Sequence, residues 1–391
     1  MKKIGYTNDS YPERRTIIDG NLHPLKKVKS LNTYYPQTAI KRMPILGKNA
    51  IVFFKDIVFS EVGVDGLHLF NTVTKKNIPW ISTFETYIPR TSATSFLNEE
   101  TITKKSIKEK NRTEKYVKLL AHDNCKKIIS LSQKNYEMEL RFLEHFPQYK
   151  NIIKEKMIQI NPPQKKLMEK SEVEQKVINP ILKFLFVGKD FTRKGGKEIV
   201  DVFSKIKEEH NFDFELTIVS LGKSYNYAFG EYQDTEKEVQ EMNNKIRNTK
   251  WINFYESMDN KKLLEMMKNS DVGLLPTWAD TYGYSVLEFQ ASGCPVITTN
   301  IRALPEINNS TIGWVIQLPI DESGEVEVSS INKKQILRKQ LQNSFEKIIL
   351  EILENPQQIK EKTIKSYNAV IKNHSVKKYM KEISVIYSEN F

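Results

Sequence analysis

The segment VGLLPTWADTYGYSVLEFQASGCPVI, residues 272–297, reads in the order strand, turn, helix, strand. Val272 to Pro276 is an apolar run, Thr277 to Tyr284 a polar turn, and a helix predicted from about Ser285 carries the chain to Gly293. In an open α/β sheet the carboxyl ends of the strands and the amino ends of the following helices face a common crevice, and ligands bind there. The turn therefore sits where ligands sit. Asp280 and Glu288 are its acidic pair, and carboxylates placed this way suit the hydroxyls of a sugar. The same residues have a purely structural reading. Ser285-Val286-Leu287-Glu288 fits the S-x-x-E capping box, and Asp280 fits a turn former.

The chain before this segment repeats its alternation. Strands are predicted at Lys183 to Val187, Glu215 to Val219 and Ile252 to Tyr255, and helices at Lys197 to His210, up to Arg247, and Asn260 to Asn269. A polar loop is expected over 220–236, and a further strand at Val296 to Thr299. Repeated βα units mean a parallel, doubly wound sheet. Two segments, Gln335 to Leu353 and Pro356 to Tyr387, are helical in period. Ahead of this domain, Asn161-Pro162-Pro163 and the charged run to Gln175 have the composition of a linker. In the N-terminal part the apolar runs Ile51 to Phe54, Gly66 to Phe70 and Trp80 to Phe84 read as buried parallel strands of one sheet. The lysine-rich segment 98–120 reads as a helix with a solvated face, followed by a strand at Lys127 to Leu131 and a helix from Ser132 to Leu143.

At 391 residues two domains are expected. A net charge of +12 suits a polyanionic partner: nucleic acid, an anionic membrane face or a phosphorylated small molecule. The two cysteines, Cys125 and Cys294, support neither a disulfide framework nor a zinc site. A reducing, cytoplasmic setting fits them. The start, MKKIGYTNDS, lacks an apolar signal core, and no apolar run approaches the roughly 18 residues of a spanning helix. The chain is expected to be soluble or peripheral.

A second turn carries the opposite charge. Gly188-Lys189-Asp190-Phe191-Thr192-Arg193-Lys194-Gly195-Gly196 joins the first strand of the second domain to its first helix. Free backbone amides at a helix start, with cations nearby, favour an anion. Arg193 offers a planar fork for phosphate oxygens and Lys194 a point charge. A solvated basic turn is the alternative. The pattern is neither G-x-G-x-x-G nor G-x-x-x-x-G-K-[ST], so the dinucleotide fingerprint and the P-loop both fail.

With both turns in view, the second domain resembles the family 4 glycosyltransferases (glycosyl transferases group 1), retaining enzymes of the GT-B fold. FVGKDFTRKGG (186–196) resembles that family's diphosphate turn, and NKKLLEMMKNSDVGLLPT (260–277) its helix and strand before the donor loop. DTYGYSVLEFQASGCPVITTN (280–300) resembles its E-x7-E region, followed by Ala-x-Gly-x-Pro-Val-Ile. The resemblance spans about 158–318 and thins towards the N-terminus. Asp280 stands where the family has a first glutamate, and Glu85 where it often has histidine.

The resemblance implies an α/β protein of two Rossmann-like doubly wound domains facing a cleft. Residues 1–163 would bind the acceptor, 164–178 would be a linker, 179–354 would bind the donor, and a helix over 355–391 would return to the first domain. The donor would be a nucleoside-diphosphate sugar, a UDP-sugar favoured. The acceptor would be a glycan, lipid-linked or protein hydroxyl. Arg193 and Lys194, in the turn with Gly188 and Lys189, would clamp the diphosphate and offset the charge of the leaving group. Glu288 would hold the ribose. Asp280 and the amides around Gly283, Tyr284 and Ser285 would face sugar and diphosphate, and Glu85 would join the catalytic set. Transfer would run on one face of the sugar, with no cofactor and no metal; no Asp-x-Asp occurs. Assembly of a glycan, cell-surface polysaccharide or glycolipid is the expected setting, with an anionic membrane surface a candidate partner at the inner face. The rival readings are a noncatalytic GT-B scaffold subunit and a nucleotide-sugar epimerase. Nucleic-acid binding lacks a base-reading motif.

Overall fold

In the computed structural model, residues 1–18, 22–41, 52–92, 95–97, 103–210, 212–221, 232 and 234–391 are described. Most of the polar loop expected at 220–236, Ile51, and positions 98–102 of the lysine-rich segment lie outside the described residues. The chain forms two compact units, Met1–Pro163 with Val376–Phe391, and Gln164–Ser375.

The first unit contains β1 (Ile4–Tyr6), β2 (Leu25–Lys27), β3 (Ser30–Asn32), β4 (Lys55–Val58), β5 (Gly66–Phe70), β6 (Val73–Thr74), β7 (Trp80–Phe84), β8 (Cys125–Ser130) and β9 (Met157–Gln159). Its main sheet is parallel, in the order β2-β1-β5-β7-β8-β9, and β3-β4-β6 form a small second sheet. Side chains alternate across the main sheet with the period of two that strands impose. Leu67, Leu69, Trp80, Phe84 and Ile128 face one core with Val117, Leu120 and Phe142 of flanking helices. Ile4, Ile81 and Ile129 face the other, packed on Tyr379, Ile383 and Tyr387. The predicted strands at 66–70 and 80–84 are neighbours in this sheet. The described part of the apolar run, 52–54, is not a strand of it: Phe53 makes an isolated bridge to Thr91 and stacks on Tyr116, and Phe54 packs on Tyr34. The run is apolar because its rings fill a side cluster. The helix Lys104–Ala121 buries Val117 and Leu120 and exposes Lys105, Lys108, Lys115 and Lys118, the solvated face expected.

The terminal segment is not one helix over 355–391. It breaks at His374-Ser375 into Gln358–Asn373, which stays with the second unit, and Val376–Asn390, which belongs to the first. The second piece is anchored by polar contacts as well as by its apolar stripe. The Tyr379 hydroxyl donates to the Thr16 carbonyl at 2.6 Å, and the Tyr387 hydroxyl meets His68 Nδ1 at 2.6 Å. His68 is fully buried, and its Nε2 lies 2.7 Å from Thr83 Oγ1.

Buried titratable groups, His68, Glu139 and Asp56 among them, give this unit a pH signature. Burial pushes His68 down to about 3. Burial also pushes Glu139 up to about 8, although its Oε2 accepts from the Ile88 amide at 2.8 Å. A histidine depressed on folding stabilises above its ordinary pKa of about 6.5, and that stability is lost as pH falls towards its folded value. A carboxyl raised on folding stabilises below about 4.3, and that stability is lost as pH rises towards its folded value. The slopes of His68 and Glu139 cancel between about pH 4.3 and 6.5, but Asp56 in β4, pushed by burial up to about 6, leaves a net fall in stability as pH rises towards 6. From pH 6.5 to 8 we expect the Glu139 contribution to fall by about 2 kcal/mol, at about 1.4 kcal/mol per unit. Urea denaturation of wild type and Glu139→Gln across that range checks this; parallel curves would disprove it.

The second unit holds β10 (Leu182–Val187), β11 (Phe214–Val219), β12 (Ile252–Tyr255), β13 (Val272–Leu275), β14 (Val296–Thr299) and β15 (Trp314–Ile316). All pairs are parallel, in the order β12-β11-β10-β13-β14-β15. Counted within the unit this is 3-2-1-4-5-6, with the reversal of strand order between β10 and β13. The helix Gly196–Glu209 covers the sheet with Ile199, Val202, Phe203 and Ile206, an i, i+3, i+4, i+7 stripe. Cys125 and Cys294 are buried and unbridged, and burial pushes each thiol up to about 12.

Candidate active site

The switch point brings the two turns of the second unit together. β10 and β13 are hydrogen-bonded neighbours, so 188–196 and 276–284 leave the sheet side by side at its carboxyl edge. Gly195 is the point of closest approach, with φ of 82°. A Cβ there would stand 2.1 Å from the Pro276 carbonyl oxygen, so only glycine lets the turns close on one another. The Trp278 amide and the Thr277 hydroxyl both donate to the Arg193 carbonyl, at 2.8 and 3.1 Å.

The basic side chains are engaged across this seam. Lys194 Nζ is paired with Asp280, both largely buried. Arg193 Nε donates to Asp190 at 2.9 Å and its Nη1 to the Ala279 carbonyl at 2.6 Å. Burial by itself would raise Asp280; the attractions of Lys194 and Arg193, the Lys194 hydrogen bond and the Thr281 amide together outweigh it, and the carboxyl lies below the usual carboxylate range. Asp280 is thus an anion at neutral pH, and it locks the lysine in place. Gly188 is buried in the same turn, with the Lys194 side chain against it, whereas Lys189 points into solvent.

The helix start differs from expectation. Helix Tyr284–Ala291 is capped by Gly283 at φ 94°, not by Ser285, and no side chain caps it. The S-x-x-E capping box does not form, because Ser285 already lies inside the first turn and Glu288 in the second. Gly283 is required by its left-handed backbone and by Leu304, whose Cδ2 would stand 2.6 Å from an added Cβ. Tyr284 and Ser285 occupy the first two helical positions, where backbone amides lack intrahelical acceptors. Glu288, half-buried, follows one turn later. With no capping box to lose, Glu288→Gln is expected to leave the melting temperature unchanged, and the ribose role that the resemblance implies would show as a donor affinity at least tenfold lower, about 1.4 kcal/mol. Calorimetric titration with the donor decides it, and wild-type affinity would remove Glu288 from the site.

Sequence reasoning passed over three residues here. Asp190 holds Arg193 from three residues away, Thr277 bridges the turns, and Thr299 Oγ1 donates to the Thr277 carbonyl at 2.7 Å, tying β14 to the same turn. Asp190 was visible inside the basic turn. The threonines carry no local signal. Glu85 belongs to the first unit, at the carboxyl end of β7; its Oε1 accepts from Asn71 Nδ2 and pairs with Arg90, each at 3.2 Å.

Residues 169–348 match the sequence family described as glycosyl transferases group 1. This stretch belongs to that family. Among curated proteins, an uncharacterized 41.2 kDa protein in the cps region of Klebsiella pneumoniae is 27% identical over 190 residues. That match spans 46% of this chain and 46% of the relative, so about half of each. Solved structures with a similar fold include a glycosyltransferase from Rickettsia africae, at 16% identity over 99% of this chain and 98% of that one, with a TM-score of 0.56. Anabaena HepE, solved with UDP and glucose, is 11% identical over the full length of both chains, with a TM-score of 0.57. A sucrose-phosphate synthase from Thermosynechococcus elongatus is 13% identical over 84% of this chain and 74% of that one, with a TM-score of 0.54. The expected two-unit GT-B architecture is the fold these likenesses share. In the group 1 stretch, all the donor-site residues read from the sequence fall on the β10 turn, the β13 turn or the helix that follows it. No helix among the described residues is long and apolar enough to cross a membrane.

Proposed function

We propose that the protein is a retaining glycosyltransferase that moves a sugar from a nucleoside-diphosphate donor, UDP-sugar favoured, to a hydroxyl of a glycan, lipid-linked or protein acceptor. The observation that carries this is the meeting of a basic and an acidic turn at the switch point of a 3-2-1-4-5-6 sheet, joined by Lys194 and Asp280. A donor diphosphate placed over the start of helix Tyr284–Ala291 meets free amides. Arg193 and Lys194 offset the negative charge that grows on the leaving group. On this reading Lys194 shifts from Asp280 towards phosphate as the donor enters, and Asp280 then faces the sugar hydroxyls. Glu288 accepts from the ribose. Glu85, steadied by Asn71 and Arg90, is the carboxylate the first unit offers to the acceptor. The chemistry needs no protein nucleophile and no metal. The HepE complex with UDP and glucose supports a uridine donor, and a relative encoded in a cps region is in keeping with a role in polysaccharide assembly.

The test is ligand-dependent stability. A donor at a hundred times its dissociation constant adds about 2.7 kcal/mol to unfolding, so UDP-sugars at millimolar levels are expected to raise the melting temperature, and chelators to leave turnover unchanged. No shift with UDP-, GDP- or ADP-sugars would reject the proposal.

A further inference from the structure

We propose that Arg302 reads an acidic group on the donor sugar, so that the donor is a nucleoside-diphosphate hexuronic acid rather than a neutral hexose. This rests on the transferase reading and adds the substrate class.

Arg302 lies three residues beyond β14, the strand next to β13 in the sheet. The elements on either side of it meet the turn at 277–284: Thr299, the last residue of β14, is bonded to Thr277, and Leu304 and Ile307 of the short helix that follows pack on Gly283. Its backbone is left-handed, with φ of 44°, a conformation that favours glycine. Its guanidinium is buried. Nη2 is paired with Glu325, while Nε and Nη1 have no hydrogen-bond partner among the described residues. Unmet buried donors and a left-handed backbone both weaken a fold, and such features collect at ligand sites. A glycine at 302 would remove both costs, so the arginine is there for something else.

Glu325 shows what fits. It is the protein's own carboxylate, 44% exposed, on a turn closed by Asp321, whose Oδ1 accepts from the Ser323 and Glu325 amides at 2.8 and 2.9 Å. Being half in water, it gives way readily to a carboxylate arriving on a ligand. A planar carboxylate matches the fork of a guanidinium and satisfies two of its nitrogens at once. The diphosphate has cations of its own in Arg193 and Lys194, one strand away across β13.

Titration calorimetry with UDP, UDP-glucose and UDP-glucuronic acid on the full chain tests this. Wild type is expected to bind UDP-glucuronic acid at least tenfold more tightly than UDP-glucose. Arg302→Gly should melt at or above the wild-type temperature, bind UDP and UDP-glucose as wild type does, and lose the preference. Arg302→Lys, which keeps the charge without the fork, should lose most of it. Equal wild-type affinity for the two sugars, or a preference that survives in both variants, overturns the assignment. So does an equal loss for UDP and both sugars, which would place Arg302 on the diphosphate. Failure of wild type to bind UDP at all would instead bring down the transferase reading, and this one with it.

Discussion

Lys194→Ala is expected to destabilise the second unit by about 3–5 kcal/mol at pH 7, the scale for removing one partner of a buried ion pair. The lysine holds Asp280, which is buried to 6% exposure, and without it the carboxylate keeps the attraction of Arg193 and the Thr281 amide but loses its ion-pair partner. Burial then dominates and the carboxyl's pKa rises. The sign follows from linkage. In wild type the depressed carboxyl contributes stability above its unfolded pKa of about 3.9, lost as pH falls through the folded value. In the variant the raised carboxyl destabilises at neutral pH and is relieved as pH falls and it protonates. The deficit is therefore largest near neutrality and shrinks towards acid. Adding Asp280→Asn to Lys194→Ala removes the orphaned charge and should recover much of the loss. Denaturant unfolding at pH 7 and pH 5 measures both; a Lys194→Ala protein as stable as wild type at pH 7 would mean that the pair is not formed in solution.

Gly195→Ala is expected to cost about 3 kcal/mol and to abolish nucleotide binding. A left-handed alanine costs roughly 1–2 kcal/mol, and overpacking against immovable atoms about 1–3 more. Here the obstruction is backbone, the Pro276 carbonyl at 2.1 Å from the added carbon, so it cannot be cleared by turning a side chain. The basic turn must lift from the end of β13, and the Trp278 and Thr277 bonds to the Arg193 carbonyl break with it. Gly188→Ala is the control: its added carbon meets only side-chain atoms, Phe186 at 2.9 Å and Lys194 at 3.2 Å, which can shift. If Gly195→Ala binds UDP like wild type and unfolds at the same denaturant concentration, the two turns do not depend on each other.

Fully buried parallel strands are apolar on both faces, which is why the inner strands of the second unit read as short continuous runs; Leu182–Val187 and Val272–Leu275 stand within a residue of where the sequence places them. Turn chemistry was equally local, since glycines, cations and carboxylates at strand-to-helix junctions announce themselves by type. These local signals are enough for the α/β class, the division near Pro163 and the two charged turns. Among the edge strands Ile252–Tyr255 was legible, but others were not. Leu25–Lys27 carries two lysines and Met157–Gln159 follows directly on a helix, so neither has the apolar run of an interior strand. What the turns do to each other depends on contacts made across the sheet. Lys194 and Asp280 are 86 residues apart, and nothing short of the strand order that sets β10 beside β13 makes them a pair. The cap at Gly283 rather than Ser285, the break at His374-Ser375 and the burial of Arg302 are of the same kind. Each depends on atoms brought in from distant parts of the chain, so no local pattern of residue types encodes it.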